Sequence, residues 1–355
     1  MYRKAEWPEF APEKSKTYNI LIIRPEKIGD VFVSFPLIDN LKNNFPQMRF
    51  HFICSNDSRS IIENDPRFEE VYLYNKKTFS DLAELKKIRS HKYDCVIDLV
   101  CDDSVTSALL TLLTARNAYR IGMGKNKYRK YYHVSYTYRT DDNAHIIDNT
   151  LRVLKTFGLD YESSGRYSPP YIGEKSKRLA ETFMSEIIKI NGNAIIIGIN
   201  ISAGSDSRQW SEDKYKELIS RLLKQYGKCE ITLICTPSDR EYGKRLLGYF
   251  KERVHLIPPN LNIREASAII SKFNLLISPD TSLIHIARSF NVAVVGLYCS
   301  FMDNYKLWFP FGQKNGVVLS DSENDIKSIT VDIIAAEIEI VLSETDKVSS
   351  QLNGI

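Results

Sequence analysis

The feature that most constrains this chain is an alternation of short, almost wholly apolar runs with segments of helical spacing. Ile20–Ile23, Phe50–Cys54, Cys95–Leu99, Ile195–Ile199, Ile231–Cys235 and Val292–Tyr298 are runs of this kind. A strand with one face in water alternates apolar and polar residues, whereas a nearly continuous apolar run suits a strand covered on both faces. The intervening segments repeat apolar residues at mostly helical spacing, as in Val31–Asn43 with Val33, Pro36, Leu37 and Leu41. Strand and helix in alternation, with covered strands, specify an α/β fold on a parallel sheet.

The alternation occurs twice. Glu162–Pro170, rich in turn residues and holding two prolines, reads as the linker between the two runs. The expected division is a first domain over residues 1–165, a second over 166–330, and a C-terminal helix and tail over 331–355. The last helix is expected to pack across both domains. A length of 355 residues suits two doubly wound domains of ordinary size. In such sheets ligands bind beyond the carboxyl ends of the strands.

Composition narrows the class. With 43% hydrophobic and 26% charged residues the chain can bury a large core, which excludes extensive disorder. Lys+Arg 48 against Asp+Glu 44 leaves +4, too even a balance for a dedicated nucleic-acid binder. No apolar run approaches the roughly 18 residues that span a bilayer. Met1–Thr17 is polar, and the six cysteines are scattered without a CxxC pair. The expectation is a cytoplasmic protein with reduced thiols and no secretory signal.

Three loops that follow apolar runs carry the chemistry. Arg24-Pro25-Glu26-Lys27-Ile28-Gly29-Asp30 follows the first run, and Asp30 there reads either as an N-cap or as a catalytic carboxylate. The absence of GxGxxG in this loop disfavours a nicotinamide dehydrogenase. Ser202-Ala203-Gly204 through Arg208-Gln209-Trp210 offers backbone N–H groups and a guanidinium suited to phosphate, or is an ordinary strand–helix loop. Trp210 reads as packing. Ser278-Pro279-Asp280-Thr281-Ser282, with His285 one turn further on, forms a strand end, a turn and a helix start with a small hydroxyl as cap, which is either a setting for an anion or a capped helix with a half-buried His. A weaker fourth site, Thr236–Glu241, offers either a ribose-binding carboxylate or an N-cap at Ser238 or Asp239. The pairs Asp102-Asp103 and Asp141-Asp142 read as solvated.

In their order along the chain these loops resemble glycosyltransferase family 9, the ADP-heptose:lipopolysaccharide heptosyltransferases. Ile28-Gly29-Asp30 matches the family's opening motif, and Pro279-Asp280-Thr281-Ser282-Leu283-Ile284-His285-Ile286-Ala287 matches its PDTGxxHxA signature with Ser282 in place of Gly. His145-Ile146-Ile147-Asp148 with Leu151 and Gly158 also fits. The resemblance implies GT-B architecture, α/β with two Rossmann-like doubly wound domains facing a cleft. It implies inverting, metal-independent transfer from a nucleoside diphosphate sugar, ADP-heptose or a related donor, with no other cofactor. Asp30 is then the expected catalytic base. Ser202, Gly204, Arg208, Asp280, Thr281, Ser282 and His285 are expected at the donor phosphates, and Glu241 at the ribose.

The acceptor is expected to be an anionic, lipopolysaccharide-type or lipid-linked glycan, met in peripheral contact with the inner membrane. The expected contacts are Lys27 and the basic, Tyr-rich segment holding Arg120, Lys125, Lys127, Arg129 and Lys130. The same segment, Tyr119–Arg139, also reads as a solvated β-hairpin. The alternatives in function are a sugar-nucleotide epimerase or hydrolase on the same frame, and a non-catalytic nucleotide-sugar-binding relative.

Overall fold

Each apolar run becomes a strand whose two faces are covered, and the strands assemble into two separate parallel sheets. In the computed structural model the described residues are 10–74, 78–101, 103–114, 117–137, 145–191, 194–312 and 314–352. Asp102, Tyr138, Arg139 and the pair Asp141-Asp142 lie outside them. The chain divides into two units, Met1–Tyr171 and Ile172–Ile355.

The first unit runs β1 (Tyr18–Ile23), α1 (Ile28–Phe32), α2 (Phe35–Asn44), β2 (Met48–Cys54), α3 (Arg59–Ile62), β3 (Phe68–Leu73), α4 (Thr78–Ser90), β4 (Cys95–Asp98), α5 (Val105–Thr114), β5 (Tyr119–Met123), β6 (Val134–Tyr136) and α6 (Ile146–Leu151). Its sheet has the order β3-β2-β1-β4-β5-β6, with every neighbouring pair parallel. β1 lies between β2 and β4 with Ile20, Leu21, Ile22 and Ile23 fully buried, which is why this run carries no polar residue from Ile20 on.

The second unit runs α7 (Glu174–Asn191), β7 (Ile195–Asn200), α8 (Glu212–Gln225), β8 (Cys229–Ile234), α9 (Arg240–Leu247), β9 (Val254–Leu256), α10 (Ile263–Ile270), β10 (Leu275–Pro279), α11 (Ser282–Ser289), β11 (Ala293–Tyr298), α12 (Met302–Trp308), β12 (Asn315–Leu319) and α13 (Val331–Leu352). Its order, β12-β11-β10-β7-β8-β9, is that of the first sheet, again all parallel. In each unit the chain starts at the centre, winds to one edge, then returns and winds to the other. The reversal lies between β1 and β4, and between β7 and β10, where the loops leaving the carboxyl ends diverge and open a crevice.

Local signals set the element ends. Ser211 caps α8 by accepting from the Lys214 N–H, and Asn262 with Glu265 forms a capping box on α10. Gly158 closes the turn after α6 at φ 69°, a left-handed conformation that glycine adopts without strain. On α8, Tyr215, Leu218, Ile219 and Leu222 form one apolar stripe, buried with Ile334, Ile338 and Val341 of α13. The C-terminal helix therefore belongs to the core of the second unit, where it packs on β11, β12 and α8.

Three expectations change. The helix read over Val31–Asn43 is two helices, because Pro36 lacks the N–H that a continuous helix needs there and instead occupies the first turn of α2. The segment read as a hairpin is not one: β5 and β6 are parallel and are joined through a short 3-10 turn at Arg129–Tyr131. α12 and β12 were not foreseen.

Close packing also fixes Gly198 on β7, where a Cβ would lie 2.3 Å from the ring of Phe273. Gly198→Ala is expected to lower unfolding free energy by about 1–3 kcal/mol through overpacking. Denaturant titration checks this, and Phe273→Leu on the same background is expected to restore part of the loss.

Candidate active site

In the first unit the crevice loop begins with Arg24, directly after β1. Its side chain is 1% exposed, so its charge must be met inside the protein. Nη2 donates to Asp30 Oδ1 at 2.9 Å, Nε lies 3.1 Å from Glu26 Oε2, and Nη1 donates to Cys101 Sγ at 3.4 Å. Burial works against the guanidinium's charge, yet Cys101, Glu26 and Asp30 together hold its pKa above the ordinary value.

Asp30 is the third residue of α1 and not its N-cap; Lys27 occupies the cap position and its carbonyl accepts from the Asp30 N–H at 3.1 Å. The Lys27 side chain is exposed. The capping interpretation of Asp30 therefore falls, and its carboxylate is held by Arg24 while remaining partly open to solvent.

The β4–α5 loop is held from below by a buried ion pair. Lys125 Nζ lies 3.2 Å from Asp98 Oδ2 and donates to the Val100 carbonyl at 2.7 Å and to Ser107 Oγ at 2.8 Å. The Tyr132 hydroxyl donates to the same Asp98 oxygen at 2.6 Å. A Cβ at Gly122 would lie 2.7 Å from Lys125 Cγ, so glycine makes room for the side chain of this lysine beside β5.

Lys125 is thus an interior lysine that fixes a loop and is not a surface contact for an acceptor. Arg120 is half-buried and donates to the Tyr131 carbonyl at 2.7 Å. Lys127, Arg129 and Lys130 are exposed on the connection between β5 and β6, where Arg129 also donates to the Tyr132 carbonyl at 2.7 Å.

In the second unit the corresponding crevice is organised by Asn200, the last residue of β7 and 2% exposed. Its amide donates to Ser278 Oγ at 3.0 Å and Thr281 Oγ1 at 3.2 Å, and its carbonyl oxygen accepts from the Ser202 N–H at 3.1 Å. Thr281 stands at the N-cap of α11, but its hydroxyl faces Asn200 and Ser278 and makes no cap bond. The first turn of α11, opened by Ser282, is left without a side-chain cap, which suits it to an anion.

Arg208 reaches this turn from the other loop. Its Nη1 donates to the Asp280 carbonyl at 2.9 Å and lies 3.2 Å from Asp280 Oδ2, while the guanidinium is 37% exposed. Asn304 Nδ2 donates to the same Asp280 oxygen at 3.1 Å. Arg208, Asp280, Thr281 and Ser282 are therefore brought together.

The side chains of other expected donor contacts have partners outside this turn or none to offer. Ser202 is buried and donates its hydroxyl to Asp239 in the loop after β8. Gly204 is exposed with open space around it. Glu241 is exposed on α9 and paired with Lys244 at 2.7 Å. Asp239 accepts from the hydroxyls of Ser202 and Thr236 and makes no cap bond. Trp210 packs as expected, with Nε1 donating to the Ile329 carbonyl at 3.0 Å.

Arg24, Asn200 and Asn304 were missed as working residues. Arg24 and Asn200 had a signal, a polar side chain closing an apolar run, since a buried polar group must be hydrogen bonded. Asn304 had none, because α12 itself was not foreseen. Among the described residues no group of three or more His, Cys, Asp or Glu is arranged to hold a metal ion, and no helix is long and apolar enough to cross a membrane.

His285 is buried against the edge of Trp308, and burial pushes its pKa down to about 4. The unfolded histidine titrates near 6.5. Between these values the unfolded chain binds the extra proton, so stability is full above pH 6.5 and falls as pH drops toward 4, by about 3 kcal/mol from this residue. His133, also pushed down to about 4 by burial and Arg120, titrates in the same window. The check is unfolding free energy against pH: His285→Gln is expected to lose less stability than the wild type between pH 6.5 and 4.

Comparison with known proteins bears on these crevices. The chain is 22% identical over 317 residues to a lipopolysaccharide core heptosyltransferase, OpsX, of Haemophilus influenzae, covering 86% of this chain and 85% of that one. A family 9 glycosyltransferase from Veillonella parvula has the same fold, with TM-score 0.78, 18% identity and coverage of 96% of this chain and 100% of that one. The E. coli heptosyltransferase WaaC with ADP follows at TM-score 0.71 and 19% identity, covering 92% and 98%. The architecture is GT-B, and transfer is selected over the epimerase and hydrolase alternatives. The family model for glycosyltransferase family 9 matches residues 82–333, a span that takes in Arg208, Asp280 and His285 and starts after the Asp30 loop. The chain belongs to glycosyltransferase family 9, the heptosyltransferase family.

Proposed function

We propose that this glycosyltransferase transfers heptose or a related sugar, with inversion and without a metal ion, from a nucleoside diphosphate to a lipopolysaccharide-type acceptor. ADP-heptose is the first donor to test, because relatives include a lipopolysaccharide core heptosyltransferase and a heptosyltransferase with ADP. The enzyme would work in the cytoplasm, in peripheral contact with the inner membrane. The observation that carries the reading is the turn at the head of α11, where the Arg208 guanidinium meets an uncapped helix N-terminus. Two sources of positive potential there serve a diphosphate in the way a cation otherwise would.

The reaction assigns a role to each unit. Asp30, oriented by Arg24, takes the proton from the acceptor hydroxyl as its oxygen bonds to the anomeric carbon. The bond from that carbon to the phosphate oxygen breaks at the same time. Its electron pair leaves with the nucleoside diphosphate, and Arg208 with the α11 amides stabilises the charge that builds there. One such donor contributes about 3 kcal/mol to transition-state stabilisation. Ser282 adds a hydroxyl at the first residue of that helix where the family usually has glycine.

Asp30→Asn keeps the size of the side chain and removes the base. Turnover is expected to fall by about a hundredfold or more with donor affinity retained, in the range for loss of a general base. Steady-state kinetics with ADP-heptose and a lipopolysaccharide-core acceptor measure it. Near wild-type turnover would leave Asp30 as a structural partner of Arg24 only. No transfer by the wild type would favour a non-catalytic relative.

Arg208→Ala is expected to weaken ADP binding by at least about tenfold while adenosine binding changes little, because a guanidinium senses phosphate charge and not the base. Calorimetry with both ligands decides it; equal losses mean that Arg208 acts through the fold. Transfer by the wild type is expected to persist in EDTA, and loss restored by magnesium contradicts the metal-free reading.

A further inference from the structure

We propose that the outward face of α5, together with the basic connection that follows β5, is a docking surface for an anionic lipid bilayer. α5 is apolar on its outward face as well as its inward one, unlike a helix that meets only water there. Val105, Leu109 and Leu113, spaced four residues apart on one face, are 54%, 50% and 47% exposed. The helix carries no charged residue over Val105–Thr114.

Its inward face holds Ala108 and Leu110 together with three hydroxyls. Ser107 Oγ accepts from the buried Lys125, and the hydroxyls of Thr111 and Thr114 donate to the carbonyls of Ser107 and Leu110. Scattered apolar side chains on a surface need no explanation, but an aligned row on an uncharged helix does.

The second observation is charge. Lys127, Arg129 and Lys130 are exposed on the connection between β5 and β6, and the backbone N–H of Lys127 donates to Asp103 Oδ1 at 2.8 Å, just ahead of α5. The basic loop is thereby tied to the start of the apolar row. From Asn117 to Thr137 the chain holds no acidic residue. An apolar row beside a basic, tyrosine-bearing loop matches the interface of an anionic membrane, where aliphatic side chains enter the acyl boundary and cations meet phosphate headgroups. A second copy of the chain could cover the apolar row with its own but would bring the same positive loop, a like-charge contact that an anionic bilayer does not impose.

The face also adjoins the chemistry of its own unit. α5 begins immediately after the β4 loop, in which Cys101 Sγ accepts from the guanidinium that orients Asp30. A lipid-linked acceptor in the docked bilayer would be delivered beside that loop. The inference deepens the proposed function by naming the surface that meets its lipid-linked acceptor. Vesicle binding is measured without donor or acceptor, so its failure is distinct from failure of the transferase reading.

The test is co-sedimentation of the full chain with vesicles of phosphatidylethanolamine and phosphatidylglycerol, against vesicles of phosphatidylcholine alone. The wild type is expected to bind the anionic vesicles and to be released by high salt. Leu109→Glu with Leu113→Glu, both at exposed positions, is expected to abolish binding, with transfer to a delipidated core oligosaccharide unchanged and transfer to vesicle-borne acceptor lowered. Changing Lys127, Arg129 and Lys130 together to Ser is expected to weaken binding about a hundredfold, since each basic group near an anionic surface contributes about fivefold. The proposal is overturned if the wild type does not bind, if it binds neutral and anionic vesicles equally, or if both sets of variants bind as the wild type does. It is also overturned if sedimentation shows a wild-type dimer that the glutamate variant dissolves, in the absence of vesicle binding.

Discussion

A parallel sheet forces every connection to cross back over one of its faces, and this constraint organises the rest of the molecule. Successive strands cannot be joined by tight hairpins, so each loop at a carboxyl end must lead into a long return. Where the winding direction reverses, two neighbouring loops lead to opposite faces and part. The strand orders β3-β2-β1-β4-β5-β6 and β12-β11-β10-β7-β8-β9 create that opening once in each unit. Arg24 and Cys101 flank the first opening, and Asn200 and Thr281 flank the second.

The cost of these sites lies in buried charge. Arg24, Asp98 and Lys125 have essentially no exposed surface, and a buried ion is tolerated only when paired and hydrogen bonded. Each meets that requirement from several directions. Arg24 is bracketed by Glu26, Asp30 and Cys101, while Lys125 is met by Asp98, a carbonyl and a hydroxyl. Removing one partner from such a set strands the others, so the networks confine their loops to one arrangement. The path from Lys125 to the Val100 carbonyl, and from Cys101 to Arg24, is a contiguous polar support beneath the Asp30 carboxylate.

Much of this was legible in the chain because strand and helix assignments rest on periodicity, which is local. The runs at β1, β2, β4, β7 and β8, the stop at Gly158 and the packing role of Trp210 all follow from residue type and spacing. What was not legible depends on contacts remote in sequence. Lys125 reads as one more cation in a basic segment until Asp98, remote in sequence, and the space left by the nearby Gly122 make a place for it. β5 and β6 read as a hairpin because alternation does not reveal strand direction, which here is set by pairing across the sheet. Thr281 and Asp239 stand at cap positions, yet each side chain is drawn to a partner on another loop.

The two units share a strand order and differ in how each uses its arginine. In the first, the cation is buried and fully engaged, so it has little left to offer an incoming anion. Its effect is exerted on Asp30, whose carboxylate it aims toward solvent. In the second, Arg208 is more than a third exposed, and Asp280 has a second donor in Asn304. An arriving phosphate can compete for that guanidinium without leaving Asp280 unmet, and it finds the helix amides beside it. A paired, interior cation suits a site that must keep a base in position. An accessible one suits a site that must accept charge as a bond breaks. The same strand order thus holds one arginine buried and the other accessible, and burial alone separates them.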